Sequence, residues 1–444
     1  MFSVVFLCPL AIFLTLHVAV LVVHLANAPM LGWAQLSPVV LFVGVLAAVY
    51  AVLRIARYQG SSALPATILT LCGIGLAVQF RIGTLQSLSI NSPSQLALPI
   101  GIVIMLGAYL IGRHGRITRL EPLWPAFLIA AVLTVLFVLI AGRKYRGAVY
   151  LPGNINPVEI IKPLLVVFIA SMIAGHRKTL SRNFLGIPLP PLNIIVTLAI
   201  LWAPPMLMLL LQGDMGLFAL MNMTLLVMLY ATTGRTAYLT GGFIAILSLG
   251  RLLMPLTTRG AARLAAWLDP FTAPTGTGWQ PLQALVALYA GGLFGTGFGA
   301  GSPRSVPIVE SDFAYIIIGE ELGLIGCLFI AAIYFSFVVT GMRTAERTAD
   351  PYRSTVATGL TACLGLQILL NIGGVTKAIP LTGIPLPLIS HGGSSLVTTL
   401  LMAGLLMAIA NDRQPTKKRT VAVAPATAKK PSAPRKRQRA SKRT

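Results

Sequence analysis

The chain carries few acids, and their placement is the first clue to chemistry. Of the 11 Asp and Glu in 444 residues, Glu310, Asp312, Glu320 and Glu321 fall within residues 291–323, GGLFGTGFGAGSPRSVPIVESDFAYIIIGEELG. A glycine-rich segment leads there through a proline-flanked polar turn into an apolar run, so the carboxylates sit where water meets hydrocarbon. A carboxylate at such a rim can act as general base on a sugar hydroxyl, or hold a divalent metal that does so. Asp312 directly precedes the apolar run, where Asp is equally suited to be a helix N-cap, and the pattern leaves both roles open. Asp214 lies in the short Gln212-Gly-Asp214 link between two apolar runs, where the cap is favoured. Glu320 and Glu321 lie about two turns inside their run. An ionisable group in hydrocarbon costs roughly 2.5–3.5 kcal/mol and seeks a partner, so an interhelical polar clamp is expected there.

Glu159 and Lys162 are three residues apart and share a helical face. They read either as a structural ion pair or as a lysine that supports an anionic ligand while the glutamate orients it. The glycines at 291, 292, 295, 297, 299 and 301 do not match a dinucleotide fingerprint, because no strand precedes them and the spacing differs. They permit a tight turn at membrane depth, as a ligand site or as plain packing. Residues 371–395, NIGGVTKAIPLTGIPLPLISHGGSS, contain too many prolines and glycines for a continuous helix yet are largely apolar. A re-entrant or rim-lining loop bearing Lys377 and His391 is expected.

The elements that must position these residues follow from composition. With 56% hydrophobic residues, 10% charged and a mean hydropathy of +0.83, the chain is an all-α polytopic membrane protein in class. Twelve apolar runs are long enough to be helical spans. The first, residues 2–26, is read as a retained span rather than a signal peptide, since no basic residue precedes it and it is longer than a signal core. An even count puts both termini on one side, and the positive-inside rule assigns that side to the cytoplasm. A large outer loop, 257–312, then precedes span ten. Arg81, Arg143, Lys144, Arg146, Arg259, Arg263, Arg304 and Lys377 fall outside against the charge bias, which calls for an anion. Cys8, Cys72, Cys327 and Cys363 lie in apolar runs without paired spacing and read as packing residues. The five histidines form no zinc pattern.

A net charge of +23 suggests nucleic acid until it is mapped. About a third of the Lys and Arg lie in residues 413–444, which contain no acid and no aromatic. This segment is expected to be a disordered cytoplasmic tail that contacts anionic lipid headgroups, with no nucleic acid as partner. The expected organisation is residues 1–60 as two additional N-terminal spans, 61–412 as the membrane core, and the tail.

The motifs together resemble the SEDS family of FtsW, RodA and SpoVE. Asn156-Pro-Val-Glu159-Ile-Ile-Lys162, Gln212-Gly-Asp214-Met-Gly216 and Arg263 with Trp267-Leu-Asp269-Pro-Phe271 match it in order, as do Gln280 and Gln283. The glycine run, Ser311-Asp312-Phe313, Glu320-Glu321-Leu-Gly323, Asn371-Ile-Gly and Pro-Leu-Ile-Ser-His-Gly-Gly-Ser394-Ser395 complete the series. The resemblance implies a core of ten helices and a lipid II glycosyltransferase on the outer face of the membrane. Its reaction there joins lipid-linked disaccharides, with undecaprenyl diphosphate leaving, and its partner is a class B penicillin-binding protein. Asp312 matches the family's outer-loop aspartate and is the implied catalytic residue, alone or with a bound Mg2+ or Mn2+. Lys162, oriented by Glu159, with Arg263, Lys377 and Arg304 would hold diphosphate. Asp214, Glu320, Glu321, Ser394 and Ser395 would support the site. The sequence departs from the family at Glu310 for His, Asn156 for Gln, Gly213 for Pro and His391 for Tyr, and it lacks a tryptophan after span three. Competing readings are a lipid II transporter and a non-catalytic division or elongation scaffold.

Overall fold

The computed structural model describes residues 2–27, 33–83, 96–145, 148–151, 156–181, 191–253, 255 and 258–412. The basic tail, Arg146, most of the polar loop after the third run, and the side chains of Lys144 and Arg304 lie outside the described residues. Fifteen helices follow in order: α1 Phe2–Asn27, α2 Trp33–Ile55, α3 Ala63–Ile82, α4 Ala97–Gly112, α5 Trp124–Ala141, α6 Ile161–Gly175, α7 Arg177–Leu180, α8 Leu192–Gln212, α9 Met215–Thr233, α10 Thr236–Leu253, α11 Thr258–Leu268, α12 Trp279–Gly291, α13 Ala314–Arg347, α14 Pro351–Val375 and α15 Gly393–Asn411. Among the described residues nine helices are long and apolar enough to cross a membrane. Three shorter apolar stretches, Leu7–Val22, Ala97–Gly112 and Thr236–Leu252, coincide with the remaining expected runs. The protein is a multi-pass membrane protein.

Two features were not expected from the sequence. The long loop before α13 is not structureless, since α11 and α12 form within it. Beyond α5 a small antiparallel hairpin, β1 Arg143–Tyr145 with β2 Ala148–Tyr150, pairs Lys144 with Val149. Gln212 at the end of α8 donates to the Val149 carbonyl at 3.1 Å and fixes the hairpin to the bundle.

The bundle is built around α14, which packs against α13, α9 and α6, while α15 lies along α4. Small residues permit the closest approaches, as membrane helices require in place of a hydrophobic driving force. A Cβ on Gly404 of α15 would lie 2.2 Å from the Met105 carbonyl of α4. Large apolar side chains such as Ile55, Val103, Ile140 and Phe335 point outward and stay exposed, which suits hydrocarbon.

Side-chain bonds define two polar ends. At one end Asp412 closes the end of α15 onto two other elements. It pairs with Arg353 Nη2 at 2.8 Å and accepts from the backbone N–H groups of His114, at 2.8 Å, and Gly115. Both of those residues have positive φ, so their amides converge on one carboxylate. Arg353 and Asp412 are 6% and 12% exposed. Removal of one partner from a buried ion pair costs about 3–5 kcal/mol, so Asp412→Ala is expected to lower thermal stability in detergent far more than removal of an exposed charge such as Arg57→Ala. Equal melting temperatures for the two variants would contradict the role given to Asp412.

Candidate active site

The other end carries the residues singled out by type and spacing. Its centre is the segment 376–392, which leaves helical form after α14 and returns as α15. Its second half is buried, with Leu386 and Ile389 each 1% exposed, so the backbone carbonyls there need donors within the protein. Side chains and amides around it meet them in turn. Arg263 Nη1 of α11 donates to Thr382 O at 2.6 Å, Asn371 Nδ2 to Ile384 O at 2.8 Å, and Gln367 Nε2 to Pro385 O at 2.8 Å. Ser390 N donates to Leu386 O at 3.1 Å, Tyr334 of α13 to Pro387 O at 2.5 Å, and Gln79 of α3 to Ile389 O at 3.1 Å. Two glycines let neighbouring helices touch the segment directly. A Cβ on Gly75 would lie 2.3 Å from Leu388 O, and one on Gly216 would lie 2.8 Å from Thr382 O.

Asp312 is strapped to this segment through its own backbone. Its carbonyl accepts from Asn371 Nδ2 at 2.9 Å, and the Glu310 carbonyl accepts from Gln79 Nε2 at 3.2 Å and from His391 N at 2.7 Å. The N-cap of α13 is Phe313, which makes no capping side-chain bond, so Asp312 precedes the cap position and does not fill it. Asp214 does cap its helix, accepting from Leu217 N at 2.9 Å. Burial pushes the Asp214 carboxyl up, and nearby Glu159 adds to that. The Leu217 N–H and the charges of Arg263 and Arg259 oppose it. Asp214 thus lies within electrostatic range of Glu159, Arg259 and Arg263. Gly213, at φ 84°, closes α8 with its N–H on Leu210 O at 3.0 Å. Proline, fixed near −65° and lacking an N–H, cannot make this turn.

Glu159 and Lys162 form the ion pair that the spacing allows, at 2.5 Å. Lys162 is 1% exposed and also donates to Gln367 Oε1 at 2.9 Å. Its ammonium therefore links α6 to α14 and, through Gln367, to Pro385. Lys377 is half-buried at φ 63°, and its carbonyl accepts from Trp267 Nε1 of α11 at 3.1 Å. Ser394 Oγ accepts from Asn156 N at 3.3 Å, and Ser395 is buried in the first turn of α15. The backbone of Arg304 lies in a 3-10 turn, Pro303–Ser305, with its side chain outside the described residues.

Glu320 and Glu321 belong to a separate clamp. Helix α13 breaks at Gly323, φ 67° and ψ −167°, and the glycine segment 292–302 takes up the freed backbone groups. Thr296 N donates to Glu320 O at 2.9 Å and Gly297 N to Glu321 O at 3.0 Å, while Leu324 N donates to Gly292 O at 3.0 Å. The side chains complete the clamp: Glu320 accepts from Ser302 N at 2.8 Å, and Glu321 accepts from Gly299 N at 2.8 Å and pairs with Arg81 at 2.9 Å. One cation placed against the charge bias thus has its anion inside the protein. The glycine run therefore makes close backbone contact with α13. Gln79 and Gln367 were not singled out by type and spacing. Their one signal is a primary amide inside an apolar span, where polar groups are rare and face partners.

The fold and the charged end define a polytopic membrane protein with a polar site at one rim. A profile for the FtsW/RodA/SpoVE proteins, described as cell cycle proteins, matches residues 61–415. The chain is 34% identical over 284 residues to the peptidoglycan glycosyltransferase RodA of Mycobacterium tuberculosis strain H37Rv, covering 63% of this chain and 60% of that protein. It is 35% identical over 288 residues to a probable peptidoglycan glycosyltransferase FtsW of Geobacter metallireducens, covering 63% and 75%. The match thus spans 60% of the length of this mycobacterial relative. Among solved structures, a peptidoglycan synthase complex superposes with a TM-score of 0.65 at 23% identity, covering 80% of this chain and 99% of that chain. RodA of Thermus thermophilus superposes at 0.56 and 23%, covering 80% and 98%. The chain belongs to the FtsW/RodA/SpoVE family, the SEDS proteins.

Two expected outcomes follow from this geometry. A Cβ on Gly295, at φ 82°, would lie 2.2 Å from Glu321 O, whereas one on Gly107 of α4 meets nothing within 4 Å. Gly295→Ala is expected to lower thermal stability by about 1–2 kcal/mol from backbone conformation alone, and more from overlap, while Gly107→Ala leaves it unchanged. Burial pushes the His391 imidazole below the 6.5 of a free histidine, against the opposing charge of Glu310. The unfolded chain therefore takes up a proton first, and stability present above that value is lost as pH falls below it. Thermal unfolding followed against pH is expected to show a loss on acidification that is smaller in His391→Gln.

Proposed function

We propose that this protein is a peptidoglycan glycosyltransferase that polymerises lipid II on the outer face of the membrane. The observation that carries the reading is Asp312, held at the rim through its own carbonyl and that of Glu310, one residue before the N-cap position of α13. The named relatives and the family support it. In the reaction the GlcNAc 4-hydroxyl of one lipid-linked disaccharide attacks the MurNAc anomeric carbon of another chain. The Asp312 carboxylate accepts the hydroxyl proton as the new C–O bond forms, and the bond to undecaprenyl diphosphate breaks. The leaving diphosphate carries negative charge, and Arg259 and Arg263, whose charges act on Asp214, supply positive charge at the same end, with Lys377 from the adjoining segment. Guanidinium groups suit this task because they bind phosphate oxygens in pairs. In this reading Lys162 and Glu159 act mainly by fixing α6 against Gln367, since the ammonium faces those partners.

Among the described residues no three His, Cys, Asp or Glu side chains converge as a metal site. The residues fit Mg2+ or Mn2+ only in the mode where one carboxylate, Asp312, shares the ion with substrate phosphates. Such an ion would neutralise diphosphate charge. A class B penicillin-binding protein is the proposed partner, supported by the fold shared with a synthase complex that coordinates polymerisation and crosslinking. Residues 413–444 would add contacts to anionic headgroups, each basic residue worth about 1 kcal/mol at the surface.

The test is glycan polymerisation from lipid II by the purified full-length chain with its penicillin-binding protein. Asp312→Ala is expected to reduce the rate by about 100- to 10,000-fold, the range for a lost general base. Full activity in that variant would overturn the assignment. Lipid II movement across proteoliposome membranes that persists in the variant, without polymerisation by wild type, would favour a transporter.

A further inference from the structure

We infer that Gln79 and Asn371 are positioning residues for Asp312, which set its place at the rim by gripping the backbone on either side of Ser311. The inference rests on the reading of Asp312 as general base and goes beyond it by naming what holds the base. Gln79, 6% exposed on α3, donates from one nitrogen to Glu310 O and to Ile389 O. Asn371, 2% exposed on α14, donates from one nitrogen to Asp312 O and to Ile384 O. Each amide therefore joins the Asp312 segment to the 376–392 segment, and the two grips come from different helices.

A primary amide presents two N–H donors on one nitrogen, and at both positions two carbonyls receive them. Neither bond serves a helix's own ladder. An apolar residue would fill the same volume in these spans without placing a polar group in hydrocarbon, so the amides are accounted for by the four carbonyls they meet. Carbonyls at 310 and 312 held from two directions fix the 310–311 and 312–313 peptide planes, which bracket Ser311 and Asp312, and with them the direction in which the Asp312 side chain leaves the backbone. The His391 N–H adds a backbone strap to Glu310 O at 2.7 Å. A general base must lie within hydrogen-bond reach of the proton it removes, so this grip acts on rate through geometry.

Gln79→Glu and Asn371→Asp preserve side-chain shape and, when ionised, remove both donors. With lipid II as the probe and full-length protein, each is expected to lower kcat by about 10- to 100-fold, the scale of an ångström misplacement, with KM within about twofold. Protonation restores one O–H donor, so the defect relative to wild type at the same pH is expected to shrink on acidification. A defect of constant size at every pH, or one seen only as lost folded protein, would overturn the proposal.

A second measurement does not depend on activity. In a Cys8→Ser background, Asp312→Cys is labelled with a membrane-impermeant maleimide, and the rate is compared after addition of Gln79→Ala or Asn371→Ala. A change of about fivefold or more, equivalent to about 1 kcal/mol in local opening, is expected; an unchanged rate overturns the proposal even if the acid variants fail to fold. If Asp312→Ala polymerises lipid II normally, the general-base reading falls, and the labelling rate alone decides whether the amides hold this segment.

Discussion

A peptide carbonyl buried away from water must find a donor in the protein, and inside a bilayer this condition admits few exceptions. Much of this structure follows from meeting it at two places where the chain leaves helical form. In segment 376–392 the carbonyls of Thr382, Ile384, Pro385, Leu386, Pro387 and Ile389 each receive a bond, from Arg263, Asn371, Gln367, Ser390, Tyr334 and Gln79. Those donors come from α3, α11, α13, α14 and the segment itself, so the irregular loop draws the bundle together at one end. At the Gly323 break the glycine segment performs the same service for α13. The two devices differ in chemistry. The first uses long side chains that reach in, and the second uses backbone brought into contact by the absence of side chains.

This arrangement explains why the charged residues divide into two groups. Glu320, Glu321 and Arg81 are consumed by the Gly323 clamp, and their placement against the charge bias is architectural. Asp214 is a cap, and Glu159 with Lys162 fastens α6 to α14. Asp312 differs from all of these. Its backbone is held firmly by its neighbours, yet its position falls just before the cap of α13. A carboxylate whose backbone is fixed at a polar rim is suited to act on a bound molecule.

The apolar runs made the helices legible from sequence, because span length and hydropathy are set by the bilayer and need no knowledge of neighbours. All of the expected runs coincide with helices or apolar stretches. The interior of residues 257–312 was less legible. Helix α11 is short and amphipathic, and α12 ends against Gly319 and Glu320, which no local pattern reveals. Asp214 was readable as a cap from its place between two runs, whereas for Asp312 the same local pattern allowed two roles, and the structure puts Phe313 at the N-cap position. Gln79 and Gln367 were missed because an isolated amide in a span signals that it has a partner without saying which one. The partners lie 231 and 310 residues away for Gln79, a distance that periodicity does not span.

The central claim is that the rim around Asp312 is where a lipid-linked diphosphate reacts. Its most direct test is a structure of the full chain in a lipid nanodisc with a non-reactive lipid II analogue. The account expects a sugar hydroxyl within hydrogen-bond reach of the Asp312 carboxylate and the diphosphate on the side of Arg259 and Arg263. An analogue bound at the Asp412 end, or at this rim with Asp312 turned away from the sugar, would contradict it.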